Sequence, residues 1–301
     1  MLIAPAAAVV NPAAGGGRGP ARWRRVGRHL ERAGHHVDTF MTVEPGHAAV
    51  LTNGLIERGY RTVIVVGGDG TVHEAINGLA DSGRNRSRVL FATLPSGTGM
   101  DFARSARLPR GERSFVEHLL HAPERRIDLG LATFAGSRVF VNFAEIGLGS
   151  AVVAREPQYS RHWPGRLAYF LAAINAGLRE PLAHGRILVG GSTVYEGALT
   201  SVVIANSRFF GGGMKIAPQA KSDDGLLDVV ALTDFSRTEL VTQAWKIYPG
   251  LHLGHHKVLW LRTSELAVET DGVRQLDLDG ELYTGAPYSF SVLPGELRLA
   301  I

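Results

Sequence analysis

The chain has 301 residues, 45% of them hydrophobic and 20% charged, with a formal charge of +4 and no cysteine. That is a globular composition, and the length suits two ordinary domains. Without cysteine there is no disulfide framework, thiolate metal site or cysteine nucleophile. The longest apolar run, Leu167 to Leu178 broken by Asn175, falls short of the ~20 residues a membrane helix needs. The run Leu2 to Val10 lacks a basic leader and passes straight into Asn11-Pro12, so it reads as a first strand rather than a signal peptide. Arg18, Arg22, Arg24, Arg25, Arg28 and Arg32 crowd one segment, and Arg104, Arg107, Arg110 and Arg113 another. Solvated helix faces or a surface for anionic lipid headgroups account for these clusters. No nucleic-acid recognition motif accompanies them.

Residues 1–130 alternate strand and helix patterns. Ala7 to Val10 is an apolar strand that ends in Asn11-Pro12 and Gly15-Gly16-Gly17. Trp23, Val26 and Leu30 follow at helical spacing, with Gly34 as a stop. Val37 to Met41 alternates as a strand, Ala48 to Arg58 reads as a helix, and Thr62 to Val66 is a β-branched run suited to a strand buried on both faces. That run breaks into Gly67-Gly68-Asp69-Gly70-Thr71, and a helix is predicted from about Val72. Val89 to Leu94 repeats the pattern and breaks into Pro95-Ser96-Gly97-Thr98. Strand, glycine turn and helix in repetition predict an α/β domain with a mostly parallel sheet.

Residues 131–290 change grammar. Short strand patterns predominate: Leu129–Phe134, Val139–Phe143, Arg186–Val189, Leu199–Ala205, Leu227–Leu232, Val258–Leu261, Leu266–Glu269 and Tyr288–Leu293. Helical stretches interrupt them near Arg166–Gly177 and Thr238–Trp245. Together these predict an antiparallel β-sandwich, with residues 291–301 returning to the first domain.

In the turn Gly67 through Thr71, backbone N–H groups and a helix N-terminus favour an anion. Asp69 in its middle adds like charge to a bare phosphate, and suits instead a divalent cation or its bound water lying between carboxylate and phosphates. Ser96-Gly97-Thr98 with Asp101 follows the next strand, so it lies beside the first turn at the carboxyl ends of the sheet, where open α/β folds bind ligands. Asn11 and Thr42 end strands at the same edge. By residue chemistry alone Asp224-Gly225, Asp271-Gly272 and Asp279-Gly280 are turns. His35, His36, His252, His255 and His256, which have no carboxylate at metal-ligand spacing, read as surface features.

The ordered set of motifs resembles the bacterial diacylglycerol kinase catalytic-domain family, soluble lipid kinases related to sphingosine and ceramide kinases. The matching segments in the first half are the Asn11-Pro12 loop with its glycines, Gly67 to Thr71, Pro95 to Thr98 with Asp101-Phe102-Ala103-Arg104, and Ile127-Asp128-Leu129-Gly130. In the second half they are Asn206 to Gly213, Ile216-Ala217-Pro218, Asp224 to Val229 and Asp279-Gly280-Glu281. The resemblance covers nearly the whole chain. It implies an ATP site in a cleft between the two domains, with Asn11, Thr42, Gly67, Gly68, Asp69, Gly70, Thr71, Val72, His73, Gly97 and Thr98 holding the nucleotide. Asp69, Asp101 and Asp128 would form a water-linked network around the catalytic Mg2+. A second, structural magnesium would take the Asp224 carboxylate and the carbonyls of Lys221 and Leu226, and Glu281 would accept the proton, with Asp279 and Asp69 as the alternative bases. Where the family has Asn before the acid of its second motif, this chain has Met100.

The implied reaction is phosphorylation of a lipid hydroxyl by ATP, with diacylglycerol as the family's usual substrate. Sphingoid bases, ceramide and phosphatidylglycerol are alternatives. NAD kinase shares the glycine turn and the two-domain plan, but the Ile216 to Val229 segment and the Asn11-Pro12 loop favour the lipid kinase. A catalytically silent lipid- or nucleotide-binding regulator, suggested by Met100 alone, is the rival from another class. The expected location is cytoplasmic, peripheral to the inner face of the cell membrane, without nucleic acid. A homo-oligomer is compatible with the sequence.

Overall fold

The structure is a computed structural model describing residues 2–83, 88–97, 99–153, 171, 172, 175, 176 and 183–300. The chain divides into two compact units, Met1–Asp128 with Pro294–Ile301, and Leu129–Leu293.

In the first unit β1 (Ala6–Val10), β2 (Asp38–Met41), β3 (Thr62–Gly67) and β4 (Leu90–Pro95) run parallel in the order β2-β1-β3-β4. The end of the last strand, β15 (Tyr288–Ala300), adds a fifth parallel position, with Arg298 beside Leu90. Every residue of β3 is buried, as a run apolar on both faces requires. The connections leaving β1 and β3 run to opposite sides of the sheet, and open α/β folds bind ligands at such a reversal of strand order. A short turn, α1 (Ala14–Gly17), leads into α2 (Gly19–Arg32). Trp23, Val26 and Leu30 of α2 pack on Ala8, Val10, Ile64 and Val66, together with Phe115, Val116 and Leu119 of α6 (Glu112–His121).

Part of the first arginine cluster is structural rather than solvated. Arg22 donates to the carbonyls of Pro95 and Arg110, and Arg25 forms a 2.7 Å ion pair with Glu112. These side chains reach past the edge of α2 and tie it to the end of β4 and to α6.

The second unit is antiparallel. A hairpin of β5 (Glu124–Thr133) and β6 (Ser137–Phe140) is followed by β7 (Phe143–Gly147), β8 (Ala183–Val189) and the long β9 (Ser192–Ala205). The first part of β9 pairs with β8; its second part lies between β7 and β10 (Leu227–Thr233). β11 (Val258–Thr263) pairs with β10, and β12 (Glu265–Thr270) with β8. β13 (Arg274–Leu278) and β14 (Glu281–Gly285) form a hairpin whose turn is Asp279-Gly280. The core gathers Phe140, Ile146, Ile187, Val202, Val229, Leu276, Tyr288 and Phe290 among others.

The single strand expected over Val139–Phe143 is split between β6 and β7. The N–H groups of Val141, Asn142 and Phe143 turn instead to the Asp279 carboxylate, at 2.8–3.0 Å. The helix expected near Thr238–Trp245 is α7 (Arg237–Gln243), started by a capping box of Ser236 and Glu239. It passes into a 3₁₀ turn, Ala244–Ile247. Most of the helix expected over Arg166–Gly177 lies outside the described residues. Among the described residues no helix is long and apolar enough to cross a membrane.

In the first unit α3 (His47–Glu57) and α4 (Asp69–Asp81) pack against each other. A Cβ at Gly78 of α4 would lie 2.1 Å from the Ala49 carbonyl oxygen. Because backbone cannot yield as a side chain can, Gly78→Ala is expected to cost about 3 kcal/mol or more. Gly54 of α3 faces open space, so Gly54→Ala should gain about 0.5–1 kcal/mol from helix propensity. Urea denaturation of both variants checks the pair of opposite signs.

Candidate active site

In the first unit the two glycine turns meet backbone to backbone. A Cβ on Gly97 would fall 2.7 Å from the Gly68 Cα, so only glycine allows the approach. The Ser96 N–H donates to the Gly67 carbonyl at 2.8 Å and extends the β3–β4 ladder into the turns. Gly68 caps α4, and Asp69 already occupies its first turn, three residues before the predicted start. The Asp69 carboxylate accepts the N–H of Asp101 at 3.1 Å and of Phe102 at 3.2 Å. It thereby caps α5 (Asp101–Ser105), the short helix of the second motif. The Asn11 amide donates to Thr71 Oγ1 at 2.9 Å, and its Oδ1 accepts the Ala13 N–H at 2.9 Å. Thr42 donates its N–H to Val10 at the end of β1. Asn11, Thr42, Gly67 to Thr71 and Gly97 therefore share one edge of the sheet. Val72 and His73 are buried within α4, and Thr98 lies outside the described residues.

The three acids of the implied magnesium network are each engaged. Asp101 pairs with Arg104, and buried Asp128 accepts the Gly295 N–H at 2.7 Å. Among the described residues no three His, Cys, Asp or Glu side chains gather closely enough to ligate a metal ion directly, so a cation at these acids would be held through its own waters. Met100 sits just before α5 with φ 53° and ψ 40°, a left-handed conformation. Asn adopts it readily and Met does not, which gives a backbone reason for the family's Asn at this position.

In the second unit Asp279 accepts the three N–H groups described above and is itself buried. Glu281, the next acid, opens β14 and is exposed. The structure also exposes a pair that sequence reading missed. Asp277 of β13 lies directly opposite Glu145 of β7, so both carboxyls are on one face of the sheet, and both are fully buried. Glu145 accepts from the Gly149 N–H, the Ser150 N–H and the Ser201 hydroxyl, at 2.6–2.9 Å. Asp277 accepts only the Gly280 N–H, at 2.7 Å, and its Oδ2 has no hydrogen-bond partner among the described residues. Burial, and then the Glu145 charge, push Asp277 well above the ordinary carboxylate range. Glu145 is also raised by burial, against its three donors. The signal was available, since each is a lone acid inside an apolar strand.

Glu145 and Ser201 line an apolar cavity within this unit, with Leu148, Val203, Phe210, Met214, Ile216 and Phe235; its volume is about 120 Å³. His252 lines it too, buried rather than on the surface as expected, with Nε2 2.9 Å from the Ile216 carbonyl oxygen. Burial holds this imidazole below its ordinary pKa.

At the implied structural-magnesium site the fit is poor. The Asp224 Oδ1 accepts the Leu226 N–H at 3.2 Å, and Oδ2 is taken by the Arg262 guanidinium. Lys221, Asp224 and Leu226 are the residues expected to hold a divalent ion, and here the Asp224 carboxylate faces a cation supplied by β11.

Two consequences are measurable. Met100→Asn should stabilise the protein by about 1 kcal/mol by relieving the left-handed strain, read as a higher urea midpoint at unchanged slope. Asp277 binds its proton more tightly folded than unfolded. Its contribution is thus intact below the unfolded pKa of about 3.9 and is lost as pH rises toward the elevated folded value. Asp277→Asn keeps an acceptor for Gly280 and cannot ionise, so its stability should decline less steeply than the wild type's from pH 4 to about 8. Urea unfolding across that pH series tests the difference.

The chain matches two family models, the diacylglycerol kinase catalytic domain over residues 5–132 and the YegS C-terminal NAD kinase beta sandwich-like domain over residues 144–301. It is 34% identical over 267 residues to the "Probable lipid kinase YegS-like" of Pseudomonas aeruginosa, covering 89% of this chain and 85% of that one. It is 35% identical over 269 residues to the protein of that same name from Pseudomonas fluorescens, covering 89% and 86%. A solved structure named "putative diacylglycerol kinase from Bacillus anthracis" superposes with a TM-score of 0.79 at 26% identity, covering 98% of this chain and 96% of that one. With two glycine turns joined at the carboxyl edge of a parallel sheet, and a β-sandwich carrying the Asp-Gly-Glu turn, the chain belongs to the YegS-like, diacylglycerol kinase-related family of ATP-dependent lipid kinases.

Proposed function

We propose that this kinase transfers the γ-phosphoryl group of ATP to the free hydroxyl of diacylglycerol, giving phosphatidic acid, and that it does so at the inner membrane surface. The observation that carries the lipid side is the apolar cavity of the second unit, which suits an acyl chain and lies in the unit that bears Glu281. Beside it, the segment from α7 to Gly254 supplies cavity residues Leu240, Ala244 and Ile247, while Val241, Trp245 and Leu251 are exposed. Trp at an apolar rim with Arg237 and Lys246 nearby in sequence matches the chemistry of an anionic bilayer surface.

On the nucleotide side, the N–H groups at the start of α4 and the joined turns cradle phosphate. Asp69, Asp101 and Asp128 would hold a magnesium ion through its waters, and that ion would supply neutralisation of charge on the phosphate oxygens. Loose transition states of this kind respond chiefly to positioning and electrostatics, and the base takes the proton late. Asp279 is committed to three N–H donors, so Glu281 is the better base. The reading requires Glu281 and the nucleotide phosphates to meet during turnover.

The test is a panel of diacylglycerol, sphingoid base, ceramide, phosphatidylglycerol and NAD with labelled ATP, run on wild type and Glu281→Gln. Diacylglycerol should be the preferred acceptor. The variant should lose about 10²–10⁴-fold in rate, the usual contribution of a general base, at near-normal KM for ATP. Preference for another acceptor overturns the substrate. A raised KM with an unchanged maximal rate overturns the role of Glu281.

A further inference from the structure

Arg262 stands on β11 directly across from Asp228 of β10. Its guanidinium donates to Asp224 Oδ2, and its Nε lies 3.5 Å from Asp228 Oδ2. Trp260, two residues before it and on the same face of β11, donates its indole N–H to Asp228 Oδ1 at 3.0 Å. The Asp228 side chain is 1% exposed, Asp224 23% and Arg262 33%. One positive charge thus serves two carboxylates, one of them buried, in the segment where the family resemblance places a second magnesium.

We propose that Arg262 performs the structural task of that divalent cation, and that the second unit of this protein folds and holds its Asp224–Asp228 turn without a metal. The physical case rests on three points. A structural cation at such a turn neutralises carboxylates and pins a loop to the sheet. Arg262 does both, because its side chain is anchored in β11 while its head group reaches a turn that precedes β10. The guanidinium is always protonated, and its planar fork matches carboxylate geometry, so this charge cannot be removed by pH or chelation. Magnesium, by contrast, demands near-octahedral oxygen ligands at about 2.0–2.1 Å. Here the oxygen it would need faces a fixed positive charge, and like charges at that separation repel. Asp228 adds a further reason. Its carboxylate is 1% exposed and Arg262 Nε lies 3.5 Å from Oδ2, so losing Arg262 leaves a buried acid without that neighbouring cation. The inference concerns stability alone and holds whichever lipid is the substrate.

Thermal unfolding of the full-length, nucleotide-free protein tests it. The wild-type Tm is expected to be the same in excess EDTA and in millimolar MgCl2. Arg262→Met, which keeps the stem and removes the charge, should lower Tm by roughly 4–8 °C. It should also make Tm rise with MgCl2, a response that Asp224→Asn in the same background abolishes. A wild-type Tm that falls in EDTA, recovers with Mg2+ and loses this dependence in Asp224→Asn overturns the proposal. So does an Arg262→Met Tm equal to that of the wild type. An EDTA response that persists in Asp224→Asn belongs to another site and leaves Asp224 metal-free, as proposed. If Arg262→Met fails to fold, the comparison of wild type with Asp224→Asn in EDTA still decides.

Discussion

The first unit depends on a single carboxylate. Asp69 stands in the first turn of α4 and accepts two N–H groups from the start of α5, so one side chain joins the two glycine turns into a continuous backbone surface. The contact between Gly68 and Gly97 makes this possible, because any Cβ at Gly97 would hold the turns apart. The result is a patch of main-chain donors with a negative charge fixed behind it. That combination is poor for a naked anion and good for an anion that arrives with a hard cation. The acid that looks misplaced in a phosphate-binding turn is therefore the part that assembles it.

The second unit manages acidic groups in four different ways. Asp279 is satisfied by three backbone donors and organises the break between β6 and β7. Asp277 and Glu145 are buried face to face and raised in pKa, so this pair favours holding a proton over holding two charges. Glu281, one residue beyond the Asp279-Gly280 turn, is exposed. Asp277 grips that same turn through the Gly280 N–H, which makes the buried pair part of the mounting of the exposed acid. Asp224 and Asp228 form the fourth case, balanced by an arginine on a neighbouring strand. Each answer follows from how much water the carboxylate keeps and which donors the backbone can bring to it.

Much of this was legible beforehand. The buried β-branched run of β3, the glycine turn after it and the Asp-Gly hairpin are local signals, because strand burial and turn chemistry are written in contiguous residues. Those signals alone place Asn11, Thr42, Gly67 to Thr71 and Gly97 at one edge of a parallel sheet. Boundaries were less certain: α4 begins at Asp69 rather than Val72, since glycines carry no periodicity from which a start can be read.

The local pattern alone thus determined the elements and the order of the motifs, and with them the two kinds of sheet. Tertiary structure alone decided which charges answer one another. Arg262 reaches Asp224 from a strand 38 positions away in sequence, Asp277 faces Glu145 across a ladder that no spacing encodes, and Arg22 turned from solvent to the end of β4. A side chain's own type sets its charge, but its pKa, its partner and its role depend on burial and on the donors within a few ångströms. Those exist only once distant segments have packed.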